Sequence, residues 1–129
     1  MKKILITLTL ALISTGTMAE WSKVGESNNE GGYTIYADLD SIRKGSNRVK
    51  MWALFDYKVE QKASGANFSS KKIRREYDCK EAHMRTLAFK LFSWNMARGE
   101  LVRSYSQPQK WKEVQAESMD EAELKVACQ

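Results

Sequence analysis

One alternating run limits the fold of this chain more than any other feature of its sequence. Residues Arg48–Tyr57 place a uniformly apolar set on one face of an extended chain and a mixed set on the other. The two sets are Val49, Met51, Ala53, Phe55 and Tyr57, and Lys50, Trp52, Leu54 and Asp56. A period of two residues is typical of a β-strand with one buried face. The run therefore predicts a strand that pairs with neighbours in a sheet.

Other stretches predict the neighbouring strands. Aromatic, β-branched or alternating residues favour strands at Trp21–Val24, Tyr33–Ala37, Ile73–Cys79, His83–Leu91 and Leu101–Tyr105. In the fourth of these, His83, Arg85, Leu87, Phe89 and Leu91 are expected on one face. Turn-forming residues predict a loop at 25–32, a tight corner at Asp38–Ile42 and a turn at 95–99. The polar segment Lys58–Ser70 is expected to be a long, mobile surface loop.

The C-terminal segment has a helical pattern instead. Ser118 and Glu121 predict a capping box, in which Ser118 Oγ accepts from the Glu121 amide and the Glu121 carboxylate accepts from the Ser118 amide. A helix of about ten residues is too short to persist alone in water, so it must pack on the sheet. We therefore predict an α+β fold, an antiparallel sheet of about six strands with one C-terminal helix.

The first 19 residues are typical of a secretory signal peptide. Lys2 and Lys3 precede ten mostly apolar residues, Ile4–Ile13, and small residues lead to Ala19. Ten residues are fewer than the roughly 20 that span a bilayer, so we expect no stable membrane insertion after cleavage. The prediction is a signal peptide at 1–19 and one exported domain at 20–129. Loss of both lysines lowers the net charge from +5 to +3, which does not favour a nucleic-acid partner.

Export determines how the two cysteines are interpreted. Cys79 and Cys128 would meet an oxidising compartment, which predicts a disulfide between them. Closing a loop of about 50 residues is expected to stabilise the fold by about 4 kcal/mol. The bridge would also tether the predicted helix to the sheet.

Several kinds of active site are disfavoured by the residues present. His83 is the single histidine, and no Gly-x-Ser-x-Gly turn exposes a serine nucleophile. The segment Asp38–Ser41 superficially suggests a calcium loop, but Arg43 and Val49 stand where that loop needs a glycine and an acid. No phosphate-binding glycine-rich loop is present. We expect no catalytic residue, metal or cofactor, and therefore not an enzyme.

A basic cluster and one tryptophan are the candidate contact residues. The cationic candidates are Lys71, Lys72, Arg74, Arg75 and Arg85. Three interpretations stay open for the cluster at 71–75: a ligand patch, solvated charge, or pairing with the acids of Glu113–Glu123. Trp52 is the candidate interface aromatic, because a helix on one face of the sheet leaves the other face available to a partner or to a second copy in a homodimer.

The order of these landmarks resembles the surface-adhesin E family of bacterial exported proteins. The matching pieces are Trp21–Val24, Tyr36–Ile42, Lys50–Tyr57, Glu76–Cys79, Arg85–Leu87, Met96 with Gly99–Glu100, Trp111 with Val114, and Ser118–Cys128. The resemblance implies an antiparallel sheet carrying a disulfide-held C-terminal helix. It also implies binding to host extracellular-matrix and serum glycoproteins.

Cellular location separates this expectation from its alternatives. The name-giving members carry a lipid on a cysteine at the signal cleavage site, whereas Glu20 follows Ala19 here. A periplasmic or secreted protein is therefore expected, with surface display in doubt. The alternative functions are a periplasmic structural or accessory protein that contacts an envelope protein, and an inhibitor of an exported enzyme that uses the loop at 58–70.

Overall fold

The computed structural model describes residues 20–129, so the predicted signal peptide lies outside the described residues. Its strands are β1 (Trp21–Ser27), β2 (Tyr33–Lys44), β3 (Arg48–Ala63), β4 (Ala66–Asp78), β5 (His83–Phe92), β6 (Leu101–Tyr105) and β7 (Lys112–Glu113). One α-helix, α1, spans Met119–Ala127. Two 3-10 turns lie at Asn29–Gly31 and Asn95–Ala97.

The strands form one open antiparallel sheet. Strands β1 to β6 lie side by side in chain order, and β7 pairs with β5 at His83 and Met84, beyond the end of β6. The predicted antiparallel sheet with a C-terminal helix is confirmed. The sheet has seven strands rather than about six, since the short β7 adds to the expected set. The described chain is mostly β, because its single α-helix has only nine residues.

Two predicted irregular segments are instead strand. The loop predicted at Lys58–Ser70 is wrong: β3 and β4 continue as a hairpin to a turn at Ser64–Gly65, where both residues have positive φ. Such turns match the twist of paired strands. The corner predicted at Asp38–Ile42 does not end the strand, because β2 continues to Lys44 through a bulge between Asp38 and Arg43. The expected turn-like bonds are present in the bulge: Asp38 Oδ1 accepts from the Asp40 amide, and Ser41 Oγ donates to the Asp38 carbonyl. There Ser41 Oγ accepts from the Trp52 amide at 2.9 Å, so a side chain replaces a missing ladder partner.

A second bulge divides β5 between the two faces of the sheet. Arg74 pairs with Ala88 but Arg75 pairs with Thr86, which leaves Leu87 as the extra residue. One extra residue moves every later side chain to the opposite face. The expectation that Arg85 and Phe89 share a face is therefore wrong. Arg85 pairs with Glu76, whereas Phe89 pairs with Ile73 of the core.

The core lies between the sheet and α1, on what we name the helix face. The alternation predicted for β3 is confirmed: its apolar set is buried on this face in two adjoining clusters. Their buried members are Ile35, Ala53, Phe55, Tyr57, Phe68, Ile73 and Leu91, and Ala37, Val49, Met51, Tyr77, Met84, Val114 and Ala127. We name the opposite side of the sheet, which carries Trp52, the open face.

The helix is fastened at its start and at its end. At its end, the predicted disulfide between Cys79 and Cys128 is confirmed, with a Cα–Cα distance of 5.8 Å. At its start, Ser118 Oγ accepts from the Glu121 amide at 3.1 Å, as predicted. The second half of the predicted capping box is wrong by one residue, because Glu121 Oε1 accepts from the amide of Glu117 at 3.3 Å rather than from that of Ser118.

A buried acid, one of the Glu113–Glu123 set that the sequence offers as partners of the basic cluster, fastens the middle of α1. Glu123 is fully buried, and its Oε2 accepts from Arg75 Nη1 at 2.7 Å. Its other oxygen accepts from the hydroxyl of Tyr77, which is also fully buried. Burial raises the pKa of Glu123, and the Arg75 charge and the Tyr77 hydrogen bond offset part of that rise. A strand cation therefore locks the helix onto the sheet.

Candidate binding surface on the open face

The structure divides the predicted basic contacts between the two faces of the sheet. Alternation along β4 places Lys71 and Arg75 on the helix face and Lys72 and Arg74 on the open face. Arg85 joins the open face because it pairs with Glu76 in the β5 segment before the bulge. The five residues therefore do not form one patch.

Internal pairing with the acidic segment involves Arg75 alone among these five residues. Besides Glu123, its Nη1 lies 3.4 Å from Asp120 Oδ1. Asp120 in turn pairs with Lys112 at 3.0 Å. Arg75 is 6% exposed, so the helix acids neutralise a buried charge rather than a surface patch.

Two neighbouring rows of side chains form the centre of the open face. Strand register aligns Trp21, Asp38, Trp52 and Arg74 in one row, and Lys23, Tyr36, Leu54, Lys72 and Lys90 in the next. Lys72 Nζ lies 5.0 Å from the ring centroid of Trp52 and 6.0 Å from that of Trp21. Lys90 Nζ lies 5.8 Å from the Trp52 ring. Trp52 is therefore flanked by cations and half-buried among their stems.

These central cations keep their charge available for an anion. Among residues 20–129, no salt bridge involves Lys72, Arg74 or Lys90. Partial burial, and then the charge of Lys90, lowers the pKa of Lys72. An anion placed between the two lysines would relieve their mutual repulsion. We name Trp52, Lys72, Arg74 and Lys90 the open-face cluster.

A second basic region continues the open face toward the β2–β3 turn. Arg85 Nη2 pairs with Glu76 Oε1 at 2.7 Å, and the Arg85 guanidinium lies 4.7 Å from the Trp111 ring. Arg48 lies 5.0 Å from the same ring. A shallow depression of about 310 Å³ adjoins this region. It is lined by Arg43, Lys44, Gly45, Arg48, Lys50 and Glu76.

The sequence pattern identifies only part of this open face. Alternation places Lys50 on the Trp52 face, but nothing in one strand shows that its neighbours in the sheet are also basic. Lys90 was hidden by the β5 bulge, since unbroken alternation cannot place both Arg85 and Lys90 on this face. Trp21 is positioned only by its register with Asp38.

A hydrogen-bonded loop presents another tryptophan at one end of the open face. Asp56 Oδ1 accepts from the Met96 amide at 2.8 Å, and Ser70 Oγ donates to the Trp94 carbonyl at 2.6 Å. Met96 has a φ of 58°, a left-handed conformation that costs a non-glycine residue roughly 1–2 kcal/mol. These anchors hold the loop in that conformation. Trp94 itself is 67% exposed.

Three further observations on the described residues bear on function. His83, the single histidine, lies at the start of β5, where its backbone pairs with Asp78 and with Glu113 of β7. Within residues 20–129, no three or more His, Cys, Asp or Glu residues are grouped closely enough to hold a metal ion. No helix in the same range is long and apolar enough to cross a membrane.

The fold and the open face together define a class of protein. It is a small disulfide-stapled sheet with a helix packed on one face and with aromatic and cationic side chains on the other. The profile of the surface-adhesin protein E family matches residues 21–129. The chain belongs to this family, as the order of its sequence landmarks predicted.

Solved structures show the same fold. Protein E of Haemophilus influenzae, in crystal form II, is similar with a TM-score of 0.59 over 73% of this chain and 79% of that one, at 11% identity. Protein E from non-typeable Haemophilus influenzae has a TM-score of 0.53 over 88% of this chain and 79% of that one, at 12% identity. No curated protein sequence matches the chain.

Proposed function

We propose that residues 20–129 form an exported, non-enzymatic binding domain that contacts host extracellular-matrix or serum glycoproteins through its open face. The observation that carries the proposal is the open-face cluster, in which Lys72, Arg74 and Lys90 lie next to Trp52 and, within residues 20–129, form no salt bridge. Carboxylate and sulfate groups on glycoproteins are natural partners for such cations. Tryptophan and arginine are the residues most often found at the energetic centres of protein interfaces.

The family supports an adhesin-like role, and the division of the sheet supports the choice of face. The helix face is occupied by the core, whereas the open face leaves Trp52, Lys72 and Arg74 partly exposed. Trp94 stands at one end of this surface and Trp111 at the other. A partner bound to the open face could therefore bury aromatic rings at the centre of that face and contact positive charge on either side of them.

Charge reversal on the open face tests the proposal. We expect Lys72→Glu with Arg74→Glu to weaken binding to immobilised basement-membrane extract and to a serum glycoprotein fraction by at least about tenfold. The matched control is Lys62→Glu with Lys125→Glu, which makes the same charge change at two exposed residues away from the cluster. The neutral variant Lys72→Gln with Arg74→Gln removes the same two cations without adding acids. It therefore shows whether weaker binding comes from lost charge or from misfolding of the charge-reversed variant. Equal binding by the wild type and both open-face variants would remove this surface from the proposal.

Export to the outside of the cell needs its own test. Intact cells are treated with protease, and the mature protein is followed by immunoblotting beside a known periplasmic protein. Digestion of this protein alone supports a host-facing adhesin. Protection of both proteins contradicts a host-facing adhesin and favours a structural or accessory role inside the cell envelope.

A further inference from the structure

The helix is too small to cover its face of the sheet. Nine residues at 1.5 Å each make α1 about 13.5 Å long and about 10 Å wide, whereas six strands spaced about 4.8 Å apart span about 24 Å. The helix backbone lies closest to β1, β2 and β3, and its Glu123 side chain reaches Arg75 and Tyr77 of β4. The part of the helix face formed by β4 and β5 contains a cavity of about 360 Å³.

The segment that joins β6 to β7 borders this cavity. Both strands pair with β5, but at opposite ends of it, and the chain between them returns to β5 where the Gln109 amide donates to the Thr86 carbonyl at 2.8 Å. Gln109 and Thr86 line the cavity together with the apolar side chains of Phe68, Ile73, Phe89 and Leu91. The cavity therefore has an apolar floor and a polar side.

Three cationic side chains line the same cavity: Lys71, Arg75 and Lys112. Lys71 Nζ lies 4.8 Å and Arg75 Cζ lies 5.2 Å from the centroid of one ring, that of Phe55. Among residues 20–129, no salt bridge or side-chain hydrogen bond involves Lys71. Burial, and then the charge of Arg75, lowers the pKa of Lys71 to about 8.

The guanidinium of Arg75 also keeps unused donors. Both helix acids, Glu123 and Asp120, accept from its Nη1, whereas its Nε is shielded from solvent and has no hydrogen-bond partner. A buried donor without a partner is destabilising, so it marks a place where the protein alone leaves a polar group unsatisfied. Two cations, one of them incompletely paired, thus stand beside an apolar pocket.

We propose that this cavity binds an alkyl carboxylate, with the head group between Lys71 and Arg75 and the chain along Ile73, Phe89 and Leu91. A carboxylate would neutralise Lys71, which has no acidic partner, and would accept from a guanidinium N–H of Arg75 that Glu123 and Asp120 leave free. The volume is at the lower end of the roughly 300–1,000 Å³ found for small-molecule pockets. The site lies on the opposite face from the open-face cluster, so it is independent of glycoprotein binding.

Titration with decanoate, below its micelle concentration, tests the site. We expect saturable one-to-one binding by calorimetry, at least about tenfold weakening by Lys71→Met, and no change with Lys72→Met, whose side chain lies on the other face. Decanol, which lacks the charge, should bind at least about tenfold more weakly than decanoate. Absence of saturable binding, equal affinity for the two probes, or equal loss in both variants would overturn the proposal.

Amide chemical shifts of the wild-type protein provide a test that needs no variant. Decanoate should perturb Thr86, Phe89 and Leu91, and leave Trp52 and its open-face neighbours unchanged. Lys71→Met should unfold at the same or a higher denaturant concentration, because it removes a cation that is partly desolvated and has no acidic partner. Shifts centred on the open face would contradict the assignment even if decanoate binds.

Discussion

Replacing Glu123 with methionine should destabilise the domain more than the change of any exposed acid. Arg75 would lose its partner at 2.7 Å while remaining 6% exposed, and the buried Tyr77 hydroxyl would lose its acceptor. Removing one partner of a buried ion pair costs about 3–5 kcal/mol, and an unsatisfied buried hydroxyl adds about 1–3 kcal/mol. The expected loss is a large part of the 5–15 kcal/mol typical of a domain.

The assay is guanidinium unfolding of the oxidised protein, followed by tryptophan fluorescence. The midpoint should fall with little change in slope, because the surface exposed on unfolding stays the same. The matched control is Asp120→Asn, which removes a more exposed acid from the same helix and the same Arg75; its expected cost is at most about 1 kcal/mol. Glu123→Gln, which keeps a hydrogen-bonding side chain, should lie between the two.

A double variant separates pairing from packing. Arg75→Met with Glu123→Met removes both charges, so it should be more stable than Glu123→Met alone. If Glu123→Met unfolds within about 1 kcal/mol of the wild type, the buried pair does not hold the helix, and the reasoning is refuted.

Three further outcomes are expected. Serine at both Cys79 and Cys128 should lower the free energy of unfolding by about 4 kcal/mol, measured beside the oxidised wild type; an unchanged midpoint would contradict this. Asp56→Ala should cost about 1–3 kcal/mol and broaden the backbone resonances of the Trp94 loop, whereas sharp wild-type-like signals would show that the anchor is dispensable. A homodimer through Trp52 would bring the open-face cations of two copies together, so it should form only when salt screens their repulsion. Light scattering at tens of micromolar protein should then give the dimer mass at high salt and the monomer mass at low salt. A monomer mass at both salt concentrations would contradict the homodimer.

The sequence predicted those features that depend on local pattern. Alternation in β3 placed Trp52 and Phe55 on opposite faces, and the helix cap at Ser118 followed from its spacing to Glu121. The bulge at Leu87 escaped prediction, because one extra residue leaves the composition unchanged and shows itself only in the pairing with β4. The strand at Lys58–Ala63 was missed for a different reason: its own side chains are mostly polar and exposed, so it lacks the apolar alternation that indicates a strand.

The buried pair of Arg75 and Glu123 shows the limit of reasoning from segments. Glu123 precedes Ala127 by four residues, so helical spacing alone could have placed it on the buried face. Its partner, however, comes from a strand 48 residues away, and charge pattern does not determine which of the basic residues at 71–75 is enclosed. Only the sheet register does this, by placing Arg75 opposite Met51 on the helix face.

The central claim is that the two faces of the sheet carry separate binding sites, and one crossed measurement tests it directly. The wild type, Lys72→Glu with Arg74→Glu, and Lys71→Met are each titrated against immobilised basement-membrane extract and against decanoate. We predict that the open-face variant loses only the extract and that Lys71→Met loses only decanoate. Loss of both partners in either variant, or of neither in both, would contradict the account.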